Sequence, residues 1–201
     1  MRLSYNGYIF NIPDNVYPPS EDTFLLLENI NVKPADSVLE IGVGSGFISI
    51  QLAKIARKIV ATDISPEALK TAVENSIINS VYNIDFRLGD LFTPIKKDEK
   101  FTVIIFNPPY LPTSEEDRVK DRLENTWDGG WNGRVLIDRF IFSVKNFLDE
   151  SGRLYLIQSD LTGIEDTLDK LQSQGFKNRI IARKKYFFEE LIVIEGEKLG
   201  E

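Results

Sequence analysis

The chain has 201 residues, of which 42% are hydrophobic and 27% charged, and it contains neither a signal-peptide core nor an apolar run that spans a bilayer. We therefore expect one globular, cytoplasmic domain away from membranes, and the net charge of −7 argues against nucleic acid as a partner, because phosphate binding needs a basic surface. The absence of cysteine and histidine excludes disulfides, thiolate nucleophiles and imidazole bases, and we assign no metal site.

The pattern of apolar residues predicts strands that alternate with helices from residue 37 onward. Before them we predict a strand over residues 8–12 and a helix capped by Ser20 over residues 20–29. The later strands are expected at 37–41, 58–62, 84–88, 101–106, 153–158, 177–183 and 187–195. The later helices are expected at 46–56, 66–79, 134–148 and 163–174.

This alternation is typical of a mostly parallel, doubly wound α/β sheet with helices on both faces. The last two strands leave no room for a crossover helix, so we expect them to pair antiparallel. We predict a single domain over residues 1–201, with an N-terminal strand and helix extension (1–35), a core (36–196) and a tail (197–201). The irregular segment Leu111–Trp131 exceeds the usual length of a connection and is expected to be functional, with a solvated acidic run at 115–117.

The strand 101–106 ends in the motif Asn107-Pro108-Pro109-Tyr110. Prolines stop a strand, and ligands of open α/β sheets bind at the carboxyl ends of the strands. The Asn107 side-chain oxygen and the Pro108 carbonyl can each accept one N–H of a planar NH2 group, while the Tyr110 ring stacks on its plane. The same four residues also fit a plain turn that ends a core strand.

A glycine loop, Gly42-Val43-Gly44-Ser45-Gly46, follows the strand 37–41. Its spacing differs from the Gly-x-Gly-x-x-Gly of dinucleotide sites. Glu40, just before the loop, would repel a pyrophosphate, and its charge suits instead a cationic ligand or one with an amino group.

Two more acids, Asp63 and Asp90, follow the next two strands. Asp63 lies where an acid binds the two hydroxyls of a ribose, and Asp90 can accept a hydrogen bond from an adenine amino group. Three carboxylates at successive strand ends describe a nucleoside ligand that carries positive charge and no phosphate. S-adenosylmethionine fits this description.

Taken together, these motifs resemble the class I S-adenosylmethionine-dependent methyltransferases of the Asn-Pro-Pro-Tyr group, which modify glutamine amides or adenine amines. The segment Val16–Phe24 is similar to the Val-Tyr-x-Pro-x-x-Asp-Thr-Phe opening of the archaeal and eukaryotic release-factor glutamine methyltransferases, although Pro18 stands where that branch often has an acid. Gly129–Arg134, followed by Asp138-Arg139-Phe140, resembles the Gly-Gly-x-Asn-Gly-Arg segment of that branch. The resemblance covers nearly the whole chain and implies a seven-stranded Rossmann-like methyltransferase sheet.

The resemblance also implies two sets of site residues and a cofactor, S-adenosylmethionine. The acceptor amide would be held by Asn107, Pro108, Pro109 and Tyr110, with Asn107, Pro108 and Tyr110 as the catalytic residues. The cofactor would be bound by Tyr17, Thr23, Glu40, Gly42, Gly44, Gly46, Asp63, Ile64, Asp90, Leu91 and Asn107.

Two partners follow from the resemblance. One is a class 1 release factor, whose Gly-Gly-Gln glutamine would be the substrate, and the other is a small activator on the edge strand Ile84–Leu88. Helix packing that buries this strand is the alternative. Three other functions stay open: an adenine-N6 methyltransferase on DNA or RNA, a protein lysine methyltransferase, and a cofactor-binding scaffold without activity.

Overall fold

A computed structural model describes residues 1–109 and 133–200 of the chain. The strands are β1 (Arg2–Tyr5), β2 (Tyr8–Asn11), β3 (Ser37–Ile41), β4 (Lys58–Asp63), β5 (Ile84–Leu88), β6 (Phe101–Phe106), β7 (Leu148–Ser159), β8 (Phe176–Lys185) and β9 (Glu190–Lys198). The helices are α1 (Glu21–Asn29), α2 (Phe47–Leu52), α3 (Pro66–Ile78), α4 (Val135–Val144) and α5 (Ile164–Ser173), with a 3-10 turn at Asp160–Thr162.

Within the described residues, seven strands form one sheet in the order β5-β4-β3-β6-β7-β9-β8. The strands from β5 to β7 in this order are parallel, and β9 is antiparallel to both of its neighbours. The predicted fold class, a seven-stranded and mostly parallel Rossmann-like sheet with antiparallel last strands, is therefore confirmed. The strand β5 lies at one edge of the sheet, as predicted, and β8 lies at the other.

The strands bury alternate side chains in two clusters on opposite faces of the sheet. Val38 belongs to a cluster that also holds residues of α1, α2 and α3. Its neighbour Leu39 belongs to a second cluster, which holds residues of α4 and α5. Because successive side chains of a strand point to opposite faces, both faces of the sheet are covered by helices.

Asn75 of α3 and Asn79, the residue directly after this helix, hold the N-terminal hairpin in place. The backbone N–H of Ile9 donates to Asn79 Oδ1 at 2.8 Å, and Asn79 Nδ2 donates back to the Ile9 carbonyl at 2.7 Å. Asn75 makes the same pair of bonds with Asn11, at 2.8 and 3.1 Å, and also donates to the Ser45 carbonyl at 2.9 Å. One helix face thus satisfies the outer backbone groups of β2 and contacts the glycine loop.

An ion pair at the amino ends of the strands fixes the connection between α1 and β3. Arg153 Nη2 donates to Asp36 Oδ2 at 2.7 Å and to the carbonyl of Asn31. Thr102 Oγ1, on β6, donates to Asp36 Oδ1 at 2.8 Å. Both ends of the α1–β3 connection are therefore held at the amino edge of the sheet. Because α1 ends at this edge, its first turn lies at the carboxyl edge.

Several bounds differ from the sequence-based prediction. The strand β1 was not predicted, because four residues with mixed exposure give little periodic signal. The helix α2 ends at Leu52 rather than at 56, since the chain turns there to enter β4. The strand β7 begins at Leu148 rather than at 153, where it pairs with Phe101 across a register shift.

Two further predictions are not tested by the described residues. The functional role expected for residues 111–131 lies outside the described residues, and the division into extension, core and tail stays a prediction. Among the residues that the structure describes, no helix combines the length and apolar composition that a bilayer-spanning segment needs.

Candidate functional site

The carboxyl ends of β3, β4, β5 and β6 meet at one edge of the sheet, because these strands are adjacent and parallel. The glycine loop follows β3 and the Asn107 motif follows β6 at this edge. A Cβ atom built on Gly42 would lie 3.8 Å from the Asn107 carbonyl oxygen, so the two motifs are in direct contact. The sheet therefore brings together two motifs that are far apart in the sequence.

The three glycines of the loop have positive φ, but their surroundings differ. Gly44, at φ +55°, has no described atom within 4 Å of a built Cβ, so the space above it is open. Gly46, at φ +83°, would place a Cβ only 3.1 Å from Ala72 on α3. Gly44 is thus placed for contact with a ligand, whereas Gly46 allows close packing of α2 on α3.

Asp63, at the end of β4, holds the glycine loop through its carboxylate. Its Oδ2 atom accepts the backbone N–H of Gly44 at 2.9 Å, and its Oδ1 atom accepts that of Ser65 at 2.8 Å. Burial raises the pKa of Asp63, and the backbone donors act against this rise. The next residue, Ile64, is exposed and offers an apolar surface beside the carboxylate.

Glu40 is buried at the base of the loop, and its Oε2 atom accepts a hydrogen bond from the Ser49 hydroxyl. Burial raises the pKa of Glu40 to about 8, and the negative charge of Asp63 adds to the rise. A positive charge close to Glu40 and Asp63 would lower the free energy of both carboxylates. The loop therefore lies beside an acidic site that favours a cation.

Asp90 and Leu91 follow β5 at the same edge. Asp90 Oδ2 forms an ion pair with Arg139 of α4, at 2.6 Å, which the sequence-based interpretation did not include. Leu91 is buried and adopts φ +46°, a left-handed conformation that is uncommon for a branched residue. The arginine therefore shares Asp90 with any ligand that this carboxylate binds.

Asn107 is held in one orientation by Asp22. Asn107 Nδ2 donates to Asp22 Oδ2 at 3.0 Å, and because a carboxylate only accepts, the nitrogen of the amide must be the atom that faces it. Asn107 Oδ1 is buried and has no hydrogen-bond partner among the described residues. Buried acceptors are nearly always paired, so this oxygen is available to a ligand donor.

Asp22 is the site residue that the sequence-based assignment missed. It is buried at the start of α1, where its Oδ1 atom accepts the Thr23 backbone N–H at 2.6 Å and the Thr23 hydroxyl at 3.1 Å. The Tyr17 hydroxyl lies 3.3 Å from Asp22 Oδ2, and burial with the nearby charge of Asp22 raises the pKa of Tyr17. The Asp-Thr-Phe part of the Val16–Phe24 segment was the available signal.

The remaining predicted acceptor residues are only partly described. Pro108 is buried and Pro109 is half-buried directly after Asn107, whereas Tyr110 lies outside the described residues. Arg134, from the family-like segment, is buried and donates to the carbonyls of Thr162 and Gly163, each at 2.6 Å. Arg134 therefore ties the start of α4 to the turn after β7.

Comparisons with known proteins agree with this geometry. The model of the methyltransferase small domain family matches residues 20–125. The chain is 48% identical over 201 residues to a putative protein N5-glutamine methyltransferase of Methanocaldococcus jannaschii, which covers 99% of this chain and 100% of that protein. It is 32% identical over 194 residues to the Homo sapiens methyltransferase HEMK2, which covers 92% of this chain and 90% of that one.

A solved structure is also similar. It is that of the E. cuniculi Mtq2–Trm112 complex, described as responsible for methylation of the eRF1 translation termination factor. The TM-score is 0.70 at 29% identity, and the match covers 92% of this chain and 99% of that one.

The sheet order, the glycine loop after β3 and the acids after the next two strands define a Rossmann-like methyltransferase. The chain belongs to the methyltransferase small domain family, and the M. jannaschii and human proteins are relatives over nearly its whole length. The predicted resemblance to release-factor glutamine methyltransferases is confirmed, and the chain is a methyltransferase.

The raised pKa of Glu40 predicts how stability depends on pH. A carboxyl whose pKa is about 8 when folded and about 4.5 when unfolded favours folding below pH 4.5, and this contribution is lost as the pH rises to 8. In the absence of cofactor, Glu40→Gln should flatten this decline and raise the free energy of unfolding at pH 8, by at most about 5 kcal/mol. Urea unfolding at pH 5, 6.5 and 8 measures the difference between the two proteins.

Ser49→Ala is the matched control. It removes the hydrogen bond that opposes the rise in the pKa of Glu40, so its stability should fall more between pH 5 and 8 than that of the wild type. Parallel pH profiles for the wild type and Glu40→Gln would contradict the assignment of a raised pKa to this carboxyl.

Proposed function

We propose that the chain transfers a methyl group from S-adenosylmethionine to the glutamine side-chain amide of the Gly-Gly-Gln motif of a class 1 release factor. The observation that carries this proposal is the buried Asn107 Oδ1, which has no hydrogen-bond partner among residues 1–109 and 133–200 and lies beside the acidic glycine loop. It offers a neutral acceptor to an NH2 group at the place where the loop would put the methyl donor. The site is proposed to act in the cytoplasm, where release factors work.

The described residues fit the cofactor. Glu40 and Asp63 provide negative charge near a sulfonium and an ammonium group, and Asp63 retains acceptor capacity for ribose hydroxyls. The open space above Gly44 lets the backbone approach the ligand, and the exposed Ile64 can pack against an adenine ring. Asp90 and the Leu91 backbone would reach the base from β5. When bound, S-adenosylmethionine supplies an electrophilic methyl group.

Asn107 and Pro108 would orient the acceptor nitrogen. An amide nitrogen is a poor nucleophile because its lone pair is delocalised into the carbonyl. Two acceptors, Asn107 Oδ1 and the Pro108 carbonyl, would hold its two hydrogens and stabilise the positive charge that develops on nitrogen. Catalysis then comes mainly from proximity and orientation, and the proton leaves after transfer. This is consistent with a chain that has no histidine.

The names of the relatives favour glutamine over the other acceptors. The M. jannaschii relative is named a putative protein N5-glutamine methyltransferase, and other relatives from bacteria are named release factor glutamine methyltransferases. The similar structure is described as part of a complex that methylates eRF1. Adenine and lysine acceptors have no comparable support, so they serve as controls.

The function is tested by transfer of a labelled methyl group from S-adenosylmethionine to four acceptors. These are a class 1 release factor, the same factor with the Gly-Gly-Gln glutamine changed to alanine, adenine-containing DNA and a lysine-containing peptide. Label should enter the first acceptor alone. Asn107→Ala should lower kcat by about 10²- to 10³-fold, because it removes an acceptor used in the transition state, and change the cofactor Kd far less. Near-normal turnover of this variant would refute the mechanism.

The hydrogen bond between Asp22 and Asn107 predicts the result of exchanging the two side chains. In Asp22→Asn, the Thr23 N–H and hydroxyl keep the side-chain oxygen of residue 22 on their side, so the new NH2 group faces the NH2 group of Asn107. Asn107 then turns its oxygen toward residue 22 and its nitrogen toward the methyl-accepting amide. Asn107→Asp alone places two carboxylates in contact, which like charges disfavour. Each single variant should lose about 10²-fold in kcat, since the orientation of the acceptor oxygen is lost.

In the double variant, the new amide at position 22 donates to the new carboxylate at position 107, whose second oxygen faces the acceptor. Its kcat should exceed that of either single variant at least tenfold, a coupling that a double-mutant cycle measures directly. Strictly additive losses would show that the Asp22–Asn107 bond does not orient the amide.

We also propose that a small activator protein binds the β5 edge. Among the strands that the structure describes, β5 is the last at its side of the sheet, and its outer backbone groups could pair with an added strand. Exposed apolar residues lie beside it, at the end of α3, in the following loop and at the end of the strand: Ile77, Ile78, Tyr82 and Leu88. The similar structure is a complex with Trm112, and this supports a partner of that kind.

The activator is tested by mixing the chain with a Trm112-type protein and measuring mass in solution and methyl transfer. A one-to-one complex and higher kcat are expected, and Ile77→Asp with Tyr82→Asp should weaken the complex at least tenfold by removing apolar contacts. Phe188→Asp, at the exposed turn between β8 and β9 on the other side of the sheet, is the control and should leave the complex unchanged. A monodisperse chain with full activity on its own would contradict the proposal.

A further inference from the structure

We propose that an apolar rim, formed by Leu161, Phe187 and Phe188, is the docking surface for the protein that receives the methyl group. The proposal rests on the proposed transfer to a protein. It adds a contact surface outside the cofactor and amide sites. The surface fits one occupant, an acceptor protein that presents an apolar patch bordered by acidic side chains.

The rim is exposed to an unusual degree. Phe187 is 92% exposed and Phe188 is 84% exposed, and Leu161 is 57% exposed. The rings of Phe187 and Phe188 pack edge to face, with centroids 4.7 Å apart and an interplanar angle of 80°. Adjacent solvent-exposed aromatic rings form the kind of apolar patch that marks an interaction site.

The topology places the rim at the same edge as Asn107. β8 is antiparallel to β9, and β9 is antiparallel to β7, so β8 runs parallel to β7 and to β6. The turn between β8 and β9 therefore lies at the carboxyl edge of the sheet. In the sheet order, β9 is two strands from β6, which corresponds to about 10 Å between the strand axes.

A hydrogen bond joins the two turns that carry the rim. Asp160 Oδ1, in the 3-10 turn after β7, accepts the backbone N–H of Glu190 at the start of β9, at 2.9 Å. Leu161 is in this 3-10 turn, and β7 is the direct neighbour of β6. The apolar rim thus begins beside the strand that carries Asn107 and extends away from it along the edge.

The position and the charge of the rim indicate that the acceptor protein binds there. An acceptor protein that inserts a glutamine at Asn107 must lay the surface around that glutamine over this edge, where aromatic side chains make effective anchors. Three basic residues, Arg183–Lys185, come just before the turn, in a chain whose net charge is −7. Arg183 pairs with Glu190 at 2.9 Å, and Lys184 lies 5.4 Å from the Tyr186 ring and close to Glu21 and Glu28. The exposed Lys185 therefore supplies positive charge that complements an acidic group on the acceptor.

The test replaces both phenylalanines, Phe187→Ser with Phe188→Ser, in the full chain with any activator that its activity needs. The KM for the release factor should rise at least tenfold, because two aromatic anchors are lost. The cofactor Kd should stay within twofold and kcat at saturating acceptor should be unchanged. Leu161→Ser, from the other turn, should raise KM less, in the same direction.

Phe142→Ser is the matched control, because Phe142 is also a largely exposed phenylalanine, at 76%. It lies in the last turn of α4, which crosses from the carboxyl ends of the strands to their amino ends, so it is far from the rim. It should leave KM unchanged. An unchanged KM in the double variant, an equal rise in the control, or a matching loss of cofactor binding would overturn the proposal. So would a dimer of the wild type that the double variant abolishes, because the rim would then be a contact between copies.

The release-factor assay distinguishes failure of the proposed function from failure of the docking surface. If the wild type labels no release factor, the proposed function falls and the docking surface falls with it. If the wild type labels the release factor and the double variant does so with the same KM, only the docking surface falls.

Discussion

The site depends on the hydrogen bond from Asn107 Nδ2 to Asp22 Oδ2, which is 3.0 Å long and joins the end of β6 to the start of α1. A carboxylate has no donor, so it permits only one orientation of the asparagine amide. That orientation leaves Asn107 Oδ1 facing the site without a partner among the described residues. Burial of Asp22 makes the restraint strong, because water does not compete for it.

This restraint explains how the segment before β3 contributes to the candidate site. Asn75 and Asn79 hold β2 on α3, and the Arg153–Asp36 ion pair holds the connection to β3 at the other end. Between these two attachments, α1 lies over β7, β8 and β9, with its first turn at the carboxyl edge. The segment before β3 therefore supplies Asp22 from a position that α3 and the sheet fix.

The acidic part of the site combines burial with backbone donors. Glu40 and Asp63 are both buried, and burial raises the pKa of each carboxyl. Asp63 offsets part of this cost through the N–H groups of Gly44 and Ser65, whereas Glu40 relies on the Ser49 hydroxyl. A nearby positive charge would therefore favour the ionised form of Glu40, and in the proposed function this couples cofactor binding to its ionisation.

The sequence alone determined most of the strand and helix pattern and the two motifs, because β-branched runs, helix caps and proline stops act locally. The edge position of β5 was expected only from the resemblance to known methyltransferase sheets. It did not reveal the role of Asp22, the Asp90–Arg139 ion pair or the packing of Gly46 on Ala72. Each of these joins residues from different elements, and which side chains meet there depends on how the helices lie on the sheet. Periodicity describes one element at a time, so only the tertiary structure decided which polar groups found partners and which oxygen has none among the described residues.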